Sequence, residues 1–258
     1  MSKKTLEETV REQESYDDVK HNHHLEFQQS EGIPIYTGYH FDDLKTLAVK
    51  PWARMGGLGA YVNLFGEEVL GDNYLCEIPP GESLKPQRHL FEELVYVLSG
   101  RGATTYWTRE GGPKMTFEWK EQSFFALPAN IGYQHFNGDE TKPARFFAKT
   151  TLPALFQSFR NKDFIFKNDF VLEEAGKDFF STEAKIYKWN PPDYKIVWTA
   201  NFVPDVRAFD QMTYYESRGA AGTSVHFHQS GLVRLYSHMS EFPVGTYKKG
   251  HAHPPGRS

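Results

Sequence analysis

Short apolar runs separated by turn residues dominate the middle of the chain. Ala60–Phe65, Asn73–Ile78, Leu94–Leu98, Thr104–Thr108, Met115–Trp119, Ser123–Leu127, Gln134–Asn137 and Arg145–Thr150 are rich in β-branched and aromatic residues. Between them lie Pro79-Pro80-Gly81, Ser99-Gly100-Arg101-Gly102, Gly111-Gly112-Pro113, Pro128 to Asn130 and Gly138-Asp139. Each of these sets a turn through proline's fixed φ, glycine's freedom or the local hydrogen bonding of Asn and Asp. Short strands at this spacing predict a small sandwich or barrel. Upstream, Gly32 to Pro51 reads as an irregular lead-in whose Leu44, Leu47 and Val49 pack onto the strands after it.

Beyond Thr150 the pattern loosens. Thr151 to Arg160 predicts a short helix with Pro153 near its start, where proline is tolerated. Asp163 to Phe170 reads as extended and Glu173 to Phe180 as a second short helix. Lys185–Trp189 and Lys195–Thr199 alternate as strands around a Pro191-Pro192-Asp193 turn. Ser224–Phe227, Val233–Tyr236 and Met239–Phe242 read as further strands. The expected division is residues 1–50 as arm and lead-in, 51–150 as a first barrel, and 151–258 as linker helices and an incomplete second barrel.

Composition narrows the class. A hydrophobic fraction of 39% with 16% aromatic residues, including 21 Phe and 14 Tyr, suits an aromatic-rich all-β core. The net charge of −4 offers no basic footprint for nucleic acid. The single cysteine, Cys76, excludes an intrachain disulfide and fits a reducing compartment. No apolar run is long enough to span a bilayer as a helix, and no signal peptide is evident, so a cytoplasmic protein with no membrane partner is expected. The polar first 24 residues read as a frayed arm, and His21 to His24 (HNHH) as a solvated cluster.

Candidate chemistry concentrates between Gly81 and Gly102. Gln87 and His89 share a face at strand spacing, and Glu93 joins them if the chain continues in register. Tyr133, His135 and Asn137 share a second face in the same way. Imidazole, amide and carboxylate converging on one point make either a metal site or a hydrogen-bonded polar network. In the tail, Gly245 precedes His251 and His253 by the offsets that separate Gly81 from Gln87 and His89, a low-identity internal repeat. Ser224 to His228 carries His226 and His228 with no carboxylate at a fitting interval, which reads as a solvated strand. Cys76, in an apolar run, reads as an inert core residue.

These residues resemble a known family. Gly81, Gln87, His89, Glu93 and Gly100 are similar to the first motif of the cupin superfamily, G-x5-H-x-H-x3-4-E-x6-G. Gln122 to Asn137 resembles the second, with Pro128 and Asn137 kept, Asn130 in place of glycine and Tyr133 in place of histidine. The segment EFPVGTYKKGHAHPPG resembles the opening of the C-terminal domain of a two-domain, or bicupin, protein. The resemblance implies an all-β cupin fold, a double-stranded β-helix or jelly-roll barrel, followed by a second, partial barrel.

The resemblance also implies chemistry. Cupins hold a divalent metal ion (Fe, Mn, Ni or Zn) on three histidines and a glutamate inside the barrel. Here those positions map onto Gln87, His89, Glu93 and Tyr133, with His135 as a substitute ligand and His251 and His253 as the histidine pair of the second barrel. Gln87 is a weak ligand for a first-row metal, and Tyr133 would have to ionise from a pKa near 10. The expected function is metal-dependent, dioxygenase-type chemistry on a small organic substrate, with Tyr133 and Gln87 orienting that substrate. The alternative is a non-catalytic small-molecule binding or sensing cupin with a degenerate metal site. An incomplete second barrel exposes strand edges, so a homo-oligomer is expected.

Overall fold

The computed structural model describes residues 22–67, 71–171, 175–183, 185–187, 197–209, 213–214, 223–229, 233 and 235–247. Strand β10 (Ala144–Thr150) lies inside the main sheet, antiparallel to β4 (Asp72–Ile78) on one side and to β5 (Glu93–Ser99) on the other. Outward from β4 come β3 (Gly57–Leu64) and then β1 (Ile35–Gly38), which pairs in parallel with β3. Strand β2 (Lys50–Trp52) also pairs with β3. Outward from β5 come β8 (Phe124–Leu127) and β13 (Phe202–Val203). A second sheet has the order β7 (Met115–Lys120), β6 (Arg101–Trp107), β9 (Gly132–Asn137). It faces the main sheet across an aromatic core, the arrangement of a jelly-roll barrel.

The eight strands expected between residues 60 and 150 are present, with ends displaced by a few residues. Strand β4 is buried along most of its length because both its faces are covered. Tyr74, Cys76 and Ile78 enter the barrel core, while Leu75 packs outside with Val62 and Leu98 under Leu44, Leu47 and Val49 of the lead-in. The lead-in is fastened by Arg145, which bridges Glu77 and the carbonyls of Leu44, Lys45 and Leu47. Gly81 and Gly100, the two motif glycines, hold φ of 69° and 83°, the left-handed turn region open to glycine.

Three expectations are corrected. Residues 163–166, read as extended, lie in a helix, Lys162–Phe166, because Asn161 caps it by accepting from the Phe164 amide. The second short helix expected to end at Phe180 is a turn in its described part, with Phe179 N–H and Ser181 N–H closing short-range bonds. His24, read as solvated, is buried in the helix His23–Ser30, where its Nε2 lies 2.8 Å from Asp72 Oδ2. The helix expected from Thr151 to Arg160 is present as Leu152–Phe159.

The second half contributes to the first barrel. Strand β13 extends the main sheet, and Phe180 and Phe202 pack on Phe117 of β7 at 4.3 and 5.1 Å between ring centroids. A separate sheet contains β11 (Lys185–Tyr187), β12 (Val197–Thr199), β14 (Thr213–Tyr214), β15 (Thr223–His228) and β16 (Tyr236–Glu241). His251, His253 and the Pro191-Pro192-Asp193 turn lie outside the described residues. Among the described residues no helix is long and apolar enough to cross a membrane.

Candidate functional site

The barrel interior brings His89, Glu93 and Tyr133 together. Each is at most 2% exposed. Glu93 begins β5, and Tyr133 comes from β9 on the facing sheet. Gln87 and Tyr133 form an isolated bridge, with backbone bonds in both directions, and this brings the 87–89 segment against β9. Asn130, which replaces the motif glycine, has φ 59°, a conformation asparagine tolerates better than most residues. Its amide also donates to the Asn168 and Phe170 carbonyls, tying the segment after helix Lys162–Phe166 to the barrel rim.

The Tyr133 hydroxyl lies 2.9 Å from His89 Nε2 and 2.9 Å from Glu93 Oε2. Tyr74 donates its hydroxyl to the other carboxylate oxygen, Oε1, at 3.0 Å. His89 Nδ1 lies 3.0 Å from the Phe91 carbonyl, which can only accept, so Nδ1 carries the hydrogen. In a neutral imidazole Nε2 is then an acceptor. Tyr133 has one proton and cannot give it to both neighbours. The chain is fully bonded only when one further proton sits on it. With Glu93 protonated, Oε2–H donates to Tyr133, Tyr133 donates to His89 Nε2, and His89 donates to Phe91.

The electrostatics place such a proton on Glu93 and not on His89. Burial raises the Glu93 carboxyl to about 7, against the lowering effect of its bonds from Tyr133 and Tyr74 and the charge of Arg54. Burial, with Arg54 second, lowers His89 to about 3. Burial and then the Glu93 charge hold the Tyr133 phenol well above its usual value, so it stays protonated. Cys76 is likewise pushed up by burial and is inert as a nucleophile.

The other expected site residues lie apart from this centre. His135 is 1% exposed, but its Nδ1 lies 2.7 Å from Thr104 Oγ1 and it bonds to neither His89 nor Glu93. Thr104 Oγ1 accepts from Trp119 Nε1 at 2.9 Å, and its own proton finds its acceptor in His135 Nδ1. Burial lowers His135 to about 3 and keeps it neutral, which leaves the hydrogen on Nε2. Among the described residues that buried donor has no hydrogen-bond partner. Its ring neighbours are Tyr133, Phe146 and Phe125, at 5.0, 5.2 and 6.0 Å. Asn137 serves the rim, donating to the carbonyls of Ile78, Pro79 and Lys142. Gln87 turns away from His89. Its Oε1 accepts from Arg54 Nη1 at 3.2 Å, and its Nε2 donates to the Lys85 and Arg54 carbonyls.

Arg54, Glu31 and Tyr74 were not singled out in the sequence. Tyr74 had a signal, because it shares the inward face of β4 with Cys76 and Ile78. Arg54 sits in the turn between β2 and β3, and Glu31 caps the helix His23–Ser30. Neither place has a local sequence signature.

These donors do not fit a divalent metal. His89 Nε2 and Glu93 Oε2 are both engaged by a phenol that holds its proton, and the Gln87 oxygen faces a guanidinium. Among the described residues no group of three His, Cys, Asp or Glu side chains is placed to hold an ion. A groove of about 460 Å³ lies away from this centre, lined in part by Arg101, Glu118 and Lys120. Its two cations are already near Asp139 and Asp205, at 3.8 and 3.7 Å.

A comparison with protein families agrees with the fold. Residues 74–149 match a family model described as a cupin domain. No curated protein matches significantly. Among solved structures the chain is similar to vicilin from Solanum lycopersicum (tomato), at 16% identity over 37% of this chain and 28% of that one, TM-score 0.33. It is similar to the Schizosaccharomyces pombe Cnp3 cupin domain, at 18% identity over 42% and 66% of the two chains, TM-score 0.35. Bacillus subtilis oxalate decarboxylase matches at 16% identity over 42% and 28%, TM-score 0.35. The matches thus span less than two thirds of each of these chains. The stretch 74–149, which contains His89, Glu93, Tyr133 and His135, is thus the part of the chain that matches a cupin domain.

Proposed function

We propose that this chain is a small-molecule-binding cupin whose first barrel recognises its ligand by hydrogen bonding and not through a metal. The observation that carries this reading is His135 Nε2–H, a buried donor without a partner among the described residues, set in an aromatic wall. Leaving such a donor unpaired costs about 1–3 kcal/mol. Thr104 and Trp119 nevertheless hold Nδ1 as the acceptor, which keeps the hydrogen on Nε2. Phe125, Phe146 and Tyr133 around it suit a small, uncharged, largely apolar molecule with one acceptor oxygen, such as an aldehyde or ketone. In this reading the Glu93–Tyr133–His89 chain stiffens the wall beside His135, and the barrel does not carry out metal-dependent dioxygenase-type chemistry.

The test is a panel of small aliphatic and aromatic aldehydes and ketones, screened by thermal shift and ligand-observed NMR. Members of the panel are expected to raise the melting temperature of the wild-type chain and to lose that effect in His135→Leu. No binding, or binding unchanged in His135→Leu, contradicts the reading. Stoichiometric metal that depends on both His89 and Glu93 would favour the metal-dependent enzyme in its place.

A further inference from the structure

We infer that Arg54 is the resident cation of this barrel, and that its guanidinium excludes a divalent metal from the His89–Glu93 centre. This holds whichever molecule the barrel binds. Gln87 stands at the position where the family resemblance implies a ligand. Its oxygen accepts from Arg54 Nη1 at 3.2 Å, and its amide nitrogen donates back to the Arg54 carbonyl at 3.3 Å and to the Lys85 carbonyl at 3.1 Å. The amide is therefore held in one orientation, with its acceptor already on a cation.

The guanidinium is itself fixed. Arg54 Nε donates to Glu31 Oε2 at 2.6 Å, and the same oxygen accepts from Trp52 Nε1 at 2.5 Å. Its carbon lies 4.7 Å from the Trp52 ring centroid, 5.4 Å from that of Phe166 and 5.7 Å from that of Phe27. Aromatic faces hold a cation in place without taking up its charge. Glu31 and Phe27 come from the N-terminal helix region and Phe166 from the helix after the barrel, so segments flanking the domain on both sides build this site.

The charge reaches the polar centre. Arg54 Nη1 engages the Gln87 oxygen at 3.2 Å, and the Gln87 backbone pairs with that of Tyr133, whose hydroxyl joins His89 to Glu93. A divalent ion seated at Gln87 would meet this fixed cation on the same oxygen, in a buried setting that screens poorly. Arg54 is thus a positioning and excluding residue.

The experiment uses the full chain carrying His251→Ala and His253→Ala, which removes the tail histidines as ligands. Protein is incubated with Mn²⁺, Fe²⁺, Ni²⁺ or Zn²⁺, desalted, and its metal content measured. The parent is expected to hold no metal that depends on His89. Gln87→His with Tyr133→His restores the family ligand types but keeps Arg54, and is expected to stay metal-poor. Adding Arg54→Met is expected to give stoichiometric metal that His89→Ala removes, whereas Arg54→Lys at the same position keeps the protein metal-poor. Circular dichroism and melting curves establish that each variant folds. His89-dependent stoichiometric metal in the parent, in the Gln87→His/Tyr133→His variant or in its Arg54→Lys derivative overturns the inference, as does a folded Arg54→Met derivative that stays metal-poor.

Discussion

The Tyr133 hydroxyl lies 2.9 Å from Glu93 Oε2, and this pair holds the proton on which the barrel centre depends. The same hydroxyl is the hydrogen-bond partner of His89 Nε2, with Glu93 Oε1 farther off at 3.5 Å. Tyr133→Phe therefore breaks two bonds at once and leaves a buried carboxyl oxygen and a buried imidazole nitrogen unpaired. A loss of about 2–4 kcal/mol is expected in urea denaturation, since each orphaned group costs about 1–3 kcal/mol. A loss below about 0.5 kcal/mol would mean that the hydroxyl is replaced by water at no cost.

The pH dependence of stability comes from the same groups. Glu93 is raised from 4.5 to about 7, so the stability it contributes is full below about 4.5 and is lost as pH rises through 7. His89 and His135 are lowered from 6.5 to about 3, so theirs is full above about 6.5 and is lost as pH falls towards 3. Each group contributes a slope of about 1.4 kcal/mol per pH unit inside its window. Between pH 4.5 and 6.5 two rising histidine slopes oppose one falling glutamate slope, so the three together peak near pH 6.5. Chemical denaturation from pH 4 to 8 is expected to show that the difference between wild type and Glu93→Gln varies across 4.5 to 7 and is flat above it. A flat difference throughout would mean that Glu93 is ionised in the folded protein.

The two barrel histidines are expected to respond differently to removal. His89 has both nitrogens bonded, so His89→Leu strands Tyr133 and the Phe91 carbonyl and costs about 3 kcal/mol. His135→Leu gives up one bond to Thr104 but also deletes an unpaired donor, so a net change within about 1 kcal/mol is expected. Equal losses in parallel denaturation curves would contradict the assignment of a partnerless Nε2.

Arg145 ties the lead-in to the barrel through Glu77 and three carbonyls. Arg145→Met leaves those carbonyls and a carboxylate without their cation, at a cost of about 3 kcal/mol. Limited proteolysis is expected to cut residues 41–49 faster in the variant while the barrel survives. An unchanged cleavage rate would show that Leu44, Leu47 and Val49 hold the lead-in without it.

How much of this was legible in the sequence depends on range. The strands between residues 60 and 150 arise from local pattern, and Gly81 and Gly100 mark turns that their positive φ requires. His89, Glu93 and Tyr133 were identified by motif spacing. Their protonation was not, because it depends on burial and on Tyr74, whose hydroxyl reaches Glu93 only once β4 and β5 flank β10. Arg54 was missed because its partners Glu31 and Gln87 are 23 and 33 positions away. Helix Lys162–Phe166 was missed because its aromatic residues suggest a strand, and the Asn161 cap together with packing of Phe166 on Phe27 outweighs that preference.

The barrel holds two neutral histidines in opposite tautomers, His89 closed into the Glu93–Tyr133 chain and His135 with its Nε2–H unpaired among the described residues. Long-range proton–nitrogen correlation of ¹⁵N-histidine-labelled protein near pH 6, assigned with His89→Leu and His135→Leu, reads this directly. The expected result is Nδ1–H with an acceptor Nε2 for His89, and Nε2–H with an acceptor Nδ1 for His135. A charged His89, the same tautomer at both positions, or nitrogen shifts that move on adding Zn²⁺ in a His89-dependent way would contradict it.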